Sequence, residues 1–178
     1  MKYFFTTHEN LNLNEKNELN DFKKILICED KKSITGFDCI FVHKKYNDIR
    51  DYYFTIADFI EDDDECIFAT SDFKFVDLGD NDFVGFSKKD LDFVEIVGSA
   101  KNIYSRYNCY NLIFDKIKNP IDINFIYGNA NFWRRFNAIQ NYFNNIDYLE
   151  NQFYYNHLIL NLFLAVSGSL KIRIENEQ

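Results

Sequence analysis

The chain has 178 residues, of which 47% are hydrophobic and 19% aromatic, and its formal net charge is −8 at pH 7. This length predicts one globular domain spanning residues 1–178, and the abundance of large apolar side chains excludes an intrinsically disordered chain. The negative charge disfavours nucleic acid as a partner, because an acidic protein repels a polyanion.

The first half of the chain alternates short β-like segments with helical ones. Lys2–Thr7 is a short aromatic segment that predicts a strand, and Phe37–Val42 predicts another because it is rich in aromatic and β-branched residues. Between them, Leu19, Phe22 and Leu26 recur at helical spacing, which predicts a helix over 14–27. Residues 47–60 fit a helical stripe better than a strand, although the sequence leaves both possibilities open.

Three short β-like segments follow, at 66–70, 73–78 and 83–86, and turn-forming residues separate them. They predict an antiparallel meander. Ser87 and Asp90 form a capping box, so a helix carrying Leu91, Val94 and Val97 is expected next. A second helix is predicted from Ser99 to Lys118, before Pro120.

The last third of the chain predicts a strand over Ile121–Tyr127 and a helix with Phe132, Phe136, Ile139 and Phe143 on its apolar face. A mostly apolar helix runs from Asp147 to about Val166, and a half-exposed strand covers 170–174. The whole pattern predicts an α+β domain with a mostly antiparallel sheet and four to six helices.

No segment predicts a membrane span or a disulfide framework. The longest apolar run, 158–166, is far shorter than the about 20 residues that a membrane helix needs. Lys2–Phe5 is followed at once by polar residues, so it is no signal peptide. The four cysteines are dispersed and predict free, mostly buried thiols: Cys28, Cys39, Cys66 and Cys109. We therefore expect a cytoplasmic protein that does not enter a membrane.

An acidic block from Asp51 to about Glu95 dominates the charge pattern. Residues 51–100 contain 14 Asp or Glu and three Lys, a net charge of −11, whereas the other 128 residues have a net charge of +3. Acidic runs often serve only for solvation. Here the charges fall on predicted strands and turns, which indicates carboxylates presented on a folded surface.

The sequence lacks the common catalytic and metal-binding motifs. The chain has no nucleotide-binding glycine loop, no G-x-S-x-G and no H-E-x-x-H, and its histidines, His8, His43 and His157, are far apart. A calcium loop beginning at Asp80 fails because Val84 and Leu91 occupy ligand positions. We therefore predict no enzyme activity, no metal site and no cofactor. His157 is interpreted as a core or boundary histidine, and Arg134 and Arg135 as an exposed helix face beside a buried Trp133.

The small size, the run Glu61-Asp62-Asp63-Asp64-Glu65 and the lack of catalytic motifs resemble the immunity proteins of bacterial polymorphic toxin systems, including contact-dependent growth inhibition. The resemblance implies a tight complex with one cognate toxin, commonly a nuclease, whose active site is blocked. From the charge pattern we expect the acidic surface, with adjacent aromatic anchors, to contact a basic toxin domain. The candidate partner-binding residues are Glu61, Asp62, Asp63, Asp64, Glu65, Asp72, Asp77, Asp80, Asp82, Tyr52 and Phe83.

Two other functions remain open at this level. The first is an acidic DNA mimic of phage or plasmid type that inhibits a host nucleic-acid enzyme. The second is an uncharacterised enzyme whose site is assembled from residues distant in the sequence.

Overall fold

The structure is a computed structural model that describes residues 1–8, 11, 13, 16–28, 35–42, 49–87, 120–143 and 152–176. Seven strands and three α-helices lie in these ranges. In chain order they are β1 (Lys2–Thr6), a 3₁₀ turn (Asn17–Leu19), β2 (Lys23–Cys28), β3 (Cys39–Val42), α1 (Ile49–Phe59), β4 (Glu65–Ala69), β5 (Phe83–Ser87), β6 (Ile121–Asn129), α2 (Ala130–Phe143), α3 (Gln152–Val166) and β7 (Ile172–Asn176).

The seven strands form one mixed sheet in the order β3-β2-β1-β4-β6-β5-β7. The predicted α+β class is confirmed, but the prediction of a mostly antiparallel sheet is wrong. Only β6 runs against its neighbours, β4 and β5, while the other four neighbouring pairs are parallel. The described residues also contain three α-helices rather than four to six. Two of the predicted helices fall within 88–119, outside the described residues.

The predicted helix over 14–27 is wrong, because residues 23–28 form strand β2. Ile25, Leu26 and Ile27 are all buried, and β2 is hydrogen-bonded on both sides, to β1 and β3. A strand inside a parallel sheet is covered on both faces, so its sequence is a continuous apolar run. Such a run is easily mistaken for part of a helix when a few apolar residues precede it.

The predicted meander is also wrong, since β4 and β5 are separated in the sheet by β6. Residues 73–78, predicted as its middle strand, form neither helix nor strand. They cross one face of the sheet with Phe73 and Phe75 packed inward. The Lys16 ammonium donates a hydrogen bond of 2.7 Å to the Phe73 carbonyl and lies 4.5 Å from the centroid of the Phe73 ring. The alternating side chains therefore pack this segment against one face of the sheet, and the segment does not join the sheet as a strand.

The remaining element predictions that fall on described residues are confirmed. Strands form at β1, β3, β6 and β7, and the helical alternative holds for α1. Helix α2 covers the predicted stripe, and α3 ends at Val166 as expected, while 147–151 lie outside the described residues. Strand β7 is half-exposed, as its alternating sequence predicted.

The sheet separates two apolar clusters. On one face the three helices pack over strand residues such as Phe5, Phe68 and Phe83. On the other face lies a second cluster that includes Phe4, Ile67 and Tyr127, together with Leu13, Leu19, Phe22 and side chains of residues 73–78. Helix α2 contributes Trp133 to the first cluster, fully buried as predicted, whereas Arg134 and Arg135 are exposed.

Cys39 and Cys66 are free thiols, and Cys28 and Cys66 are buried, so the prediction of a free, buried thiol is confirmed for Cys66. Cys109 lies outside the described residues. None of the helices in the described ranges has the length and apolar character required to cross a membrane.

Candidate functional site: an acidic groove at one edge of the sheet

The turn between α1 and β4 carries the densest part of the acidic block, and Asp64 closes it. One carboxylate oxygen of Asp64 accepts a hydrogen bond of 2.7 Å from the Glu61 amide. The other oxygen accepts one of 2.7 Å from the α-amino group of Met1. Asp64 is only 6% exposed, whereas Glu61, Asp62 and Asp63 point outward. The buried acid therefore holds the turn in place beneath the exposed ones.

A second acidic turn, Gly79–Asp82, precedes β5. Gly79 has φ +58°, a left-handed conformation that glycine adopts without strain. Asp82 holds this turn in place with its carboxylate, as Asp64 holds the first turn. Its carboxylate accepts hydrogen bonds from the Lys171 amide at 2.8 Å, the Asn129 side chain at 2.8 Å and the Asn131 side chain at 3.4 Å. Asp80 remains exposed.

Sheet topology places these two turns side by side. Strands β4 and β5 point in the same direction, so the turns that precede them lie at the same edge of the sheet. Strand β6 runs between them in the opposite direction and ends at that edge, with Glu65 opposite Asn129 and Phe83 opposite Gly128. Acids that are about 15 residues apart in sequence thereby flank the same strand end.

A groove of about 310 Å³ lies between the two turns. We call it the acidic groove. It is lined by Asp62, Asp63, Asp64, Glu65, Leu78, Gly79, Asp80, Asn81, Asn129 and Asn131. A second concavity of about 560 Å³ adjoins it and shares the residues 62–64. The second concavity is also lined by Arg134, whose guanidinium pairs with the Asp62 carboxylate.

The pKa values of Asp64 and Asp82 reflect their structural roles. Burial alone would raise the pKa of Asp64, but hydrogen bonds from the α-amino group and the Glu61 amide, with the nearby Arg134 charge, lower it below 3.8. Burial likewise opposes ionisation of Asp82, and hydrogen bonds from the Lys171 amide, Asn129 and Asn131 outweigh it, so its pKa is also lowered. Both groups are therefore held as carboxylates at neutral pH.

Glu65 lies at the base of the groove and is part of an internal network. Its carboxylate accepts a hydrogen bond of 2.6 Å from the Tyr127 hydroxyl and lies 3.2 Å from the Lys2 ammonium. Burial, followed by the hydrogen bond to Glu65, raises the pKa of Tyr127 far above its usual value. Tyr127 therefore stays protonated and keeps Glu65 in a defined orientation.

Not all candidate partner-binding residues reach the acidic groove. Phe83 is fully buried, and the ring of Tyr52, a residue of α1, stacks on Phe68 of β4. Neither is therefore available as an aromatic anchor at the groove. Asp72 follows the opposite end of β4, where a hydrogen bond from Lys16 lowers its pKa. Asp77 is exposed but does not line the groove, and its carbonyl accepts a hydrogen bond from Arg173.

The exposed acids that line the acidic groove are Asp62, Asp63 and Asp80, and the exposed Glu61 lines the adjoining concavity. The charge pattern of the sequence predicted these four but did not distinguish them from Asp64, Asp82 and Glu65, which hold the groove's framework. The amides of Asn129 and Asn131 were not predicted, because the sequence at the end of β6 indicates only a turn. Within the described residues, no three His, Cys, Asp or Glu side chains are arranged to hold a metal ion.

A buried polar pair lies at the opposite end of β6. His157 of α3 is fully buried, and its Nε2 atom lies 3.2 Å from a carboxylate oxygen of Asp122. Asn161, one turn later on α3, donates to the Ile121 carbonyl and accepts from its amide. This arrangement agrees with the interpretation of His157 as a core histidine, while His43 lies outside the described residues.

The pKa of Asp64 leads to a prediction about acid stability. A carboxyl group whose pKa is lowered by folding contributes stability above its unfolded pKa, near 4, and that contribution is lost as the pH falls through the folded pKa. We therefore expect the difference in unfolding free energy between wild type and Asp64→Asn to be largest at neutral pH and to shrink below about pH 4. Urea denaturation at a series of pH values measures it. Asp63→Asn, an exposed neighbour, is the control, and a difference that grows at low pH would contradict the prediction.

No protein-family model matches the sequence, and no curated protein is significantly similar to it.

Proposed function

We propose that this protein is a non-enzymatic immunity protein that binds a cognate bacterial toxin through the acidic groove and so covers the toxin's active site. The toxin domain is expected to be basic, as a nuclease is. The observation that supports the proposal is the convergence of two separate acidic turns on one edge of the sheet, where they line a common groove.

The support for docking comes from the way in which the exposed carboxylates are held. Asp64 and Asp82 use their own carboxylates to tie the two turns to the Glu61 and Lys171 amides. Glu61, Asp62, Asp63 and Asp80 are exposed on turns whose backbones these hydrogen bonds hold. Preorganised charges lose little conformational entropy on binding, which favours tight association over mere solvation.

A basic nuclease cleft offers a complementary surface. Such a cleft is lined by lysine and arginine side chains that normally contact phosphates. Carboxylates spaced along a groove present similar negative charge to these side chains, and complementary charge also accelerates the encounter of the two proteins. An inhibitor of this kind needs no catalytic residue of its own.

Co-expression with the product of the adjacent upstream reading frame tests the proposal directly. We expect the two chains to co-purify as a stable complex and the partner's toxicity to be suppressed. Failure of the two chains to associate, together with undiminished toxicity, would overturn the assignment.

The groove's part in binding is tested by removing its exposed charges. We expect Asp62→Asn/Asp63→Asn/Asp80→Asn to slow association with the toxin by about ten-fold at low ionic strength, with a smaller effect as salt is added. Stopped-flow or surface plasmon resonance measures the rate. Asp72→Asn, which removes a charge beyond the opposite end of β4, should change the rate by less than about two-fold. Equal effects of the two variants would place the interface elsewhere.

A further inference from the structure

The outer edge of β7 is a second surface with features of an interface. Strand β7 is the last strand of the sheet and pairs with β5 on its inner side, while no strand in the described ranges pairs with its outer side. An open edge presents backbone N–H and C=O groups that a further strand can pair with. Ile174, at the centre of β7, is 45% exposed, one of three large hydrophobic residues so exposed among the described residues.

Charged side chains flank Ile174 on both sides in a self-complementary pattern. Arg173 and Glu175 lie on the same face of β7, with side chains 36% and 42% exposed. Within one chain the Arg173 Nε atom is 3.3 Å from a Glu175 carboxylate oxygen. The strand thus carries one positive and one negative charge at equal distances from its central residue.

This pattern selects one way of pairing β7 with a second copy of itself. In a two-fold antiparallel pair, residues at equal distances from the central residue lie opposite each other. A pair centred on Ile174 places Arg173 opposite the partner's Glu175, twice, with the two isoleucines in contact. A pair centred on Arg173 places two arginines together, and one centred on Glu175 places two glutamates together. Directly opposed like charges destabilise a strand pair, so of these three registers the first is the favourable one.

We propose that the protein forms a two-fold homodimer in which the β7 strands pair antiparallel about Ile174, joining two sheets into one continuous sheet. No residue of β7 lines the acidic groove, and the dimer does not depend on the proposed function. A five-residue strand gives a small interface. We therefore expect a dissociation constant in the micromolar range.

Sedimentation velocity over a range of protein concentrations tests the dimer. We expect wild type to dimerise as its concentration rises, and Arg173→Glu or Glu175→Arg to weaken the dimer by at least about ten-fold, since each places like charges opposite each other twice. The double variant Arg173→Glu/Glu175→Arg should dimerise again, because the swapped charges are complementary. A mixture of the two single variants should form a heterodimer for the same reason.

Two further variants separate this interface from other ways of associating. Ile174→Lys should abolish the dimer, whereas Val42→Lys, at a 44% exposed position on the opposite edge strand β3, should leave it unchanged. Thermal melting of each variant confirms that it is folded. A wild type that stays monomeric at several hundred micromolar, a dimer that persists in Ile174→Lys, or a double swap that fails to restore association would each overturn the proposal.

Discussion

Trp133→Ala is expected to lower the free energy of unfolding by about 3–5 kcal/mol, because it empties a large volume at the centre of the helical face. Trp133 is fully buried between α1 and the sheet, with its ring centroid 5.9 Å from that of Tyr53 and 5.3 Å from that of Phe132. Its indole N–H donates a hydrogen bond of 3.2 Å to the Cys66 carbonyl of β4. Chemical denaturation followed by far-ultraviolet circular dichroism measures the loss.

Trp133→Phe is the matched control for this prediction. Phenylalanine keeps an aromatic ring in the core but removes the hydrogen bond to Cys66, so the expected loss is smaller, about 1–3 kcal/mol. Comparing the two variants separates the contribution of packing to stability from that of the hydrogen bond. A loss below about 1 kcal/mol for Trp133→Ala would mean that this residue does not anchor α2 to the sheet.

His157→Phe is expected to lower the free energy of unfolding by about 3 kcal/mol, since it removes a buried partner of the Asp122 carboxylate. The two side chains are 3.2 Å apart, and Asp122 also accepts hydrogen bonds from the backbone and side chain of Asn124. Phenylalanine fits the apolar surroundings of α3 but offers no hydrogen bond. The cost therefore arises from desolvated charge more than from lost volume.

A double-mutant cycle with Asp122→Asn measures the coupling between the two residues. If the cost of His157→Phe comes from the carboxylate, it should be about 1–2 kcal/mol smaller when residue 122 is already neutral. Equal costs in both backgrounds would show that His157 contributes through packing alone. Under the proposed function, the same variants should still suppress the toxin whenever they are folded, because the pair lies at the opposite end of β6 from the acidic groove.

Local patterns in the sequence were sufficient for several elements. The stripe from Phe132 to Phe143 has the period of a helix, and α2 forms there. The alternating segment that begins at Ile121 forms β6, and the alternation after Leu170 forms the half-exposed β7. In α2 the buried residues follow the helical stripe of the segment's own side chains, so no knowledge of neighbours is needed there. Strand β6, by contrast, is buried at nearly every position, and Ile174 of β7 is exposed.

Strand β2 and segment 73–78 were mispredicted for a common reason. Ile25, Leu26 and Ile27 are all buried, so both faces of β2 are covered, and β1 and β3 flank it on its two sides. Phe73 and Phe75 alternate like strand residues but pack on the sheet from outside. Whether an apolar run joins a sheet, covers one or forms a helix depends on neighbours that are distant in sequence.

The acidic groove shows most directly which features follow from the sequence alone and which follow from the tertiary structure. The sequence by itself determined that negative charge is concentrated in residues 51–95 and that Glu61, Asp62, Asp63 and Asp80 belong to it. Only the tertiary structure decided that Asp64 and Asp82 bind backbone amides and that Phe83 is buried. It also decided that Asp72 lies at the opposite end of β4 from the groove. The physical reason is that charge is a property of each residue, whereas exposure and proximity follow from strand order. Inserting β6 between β4 and β5 is what places two acidic turns beside one strand end.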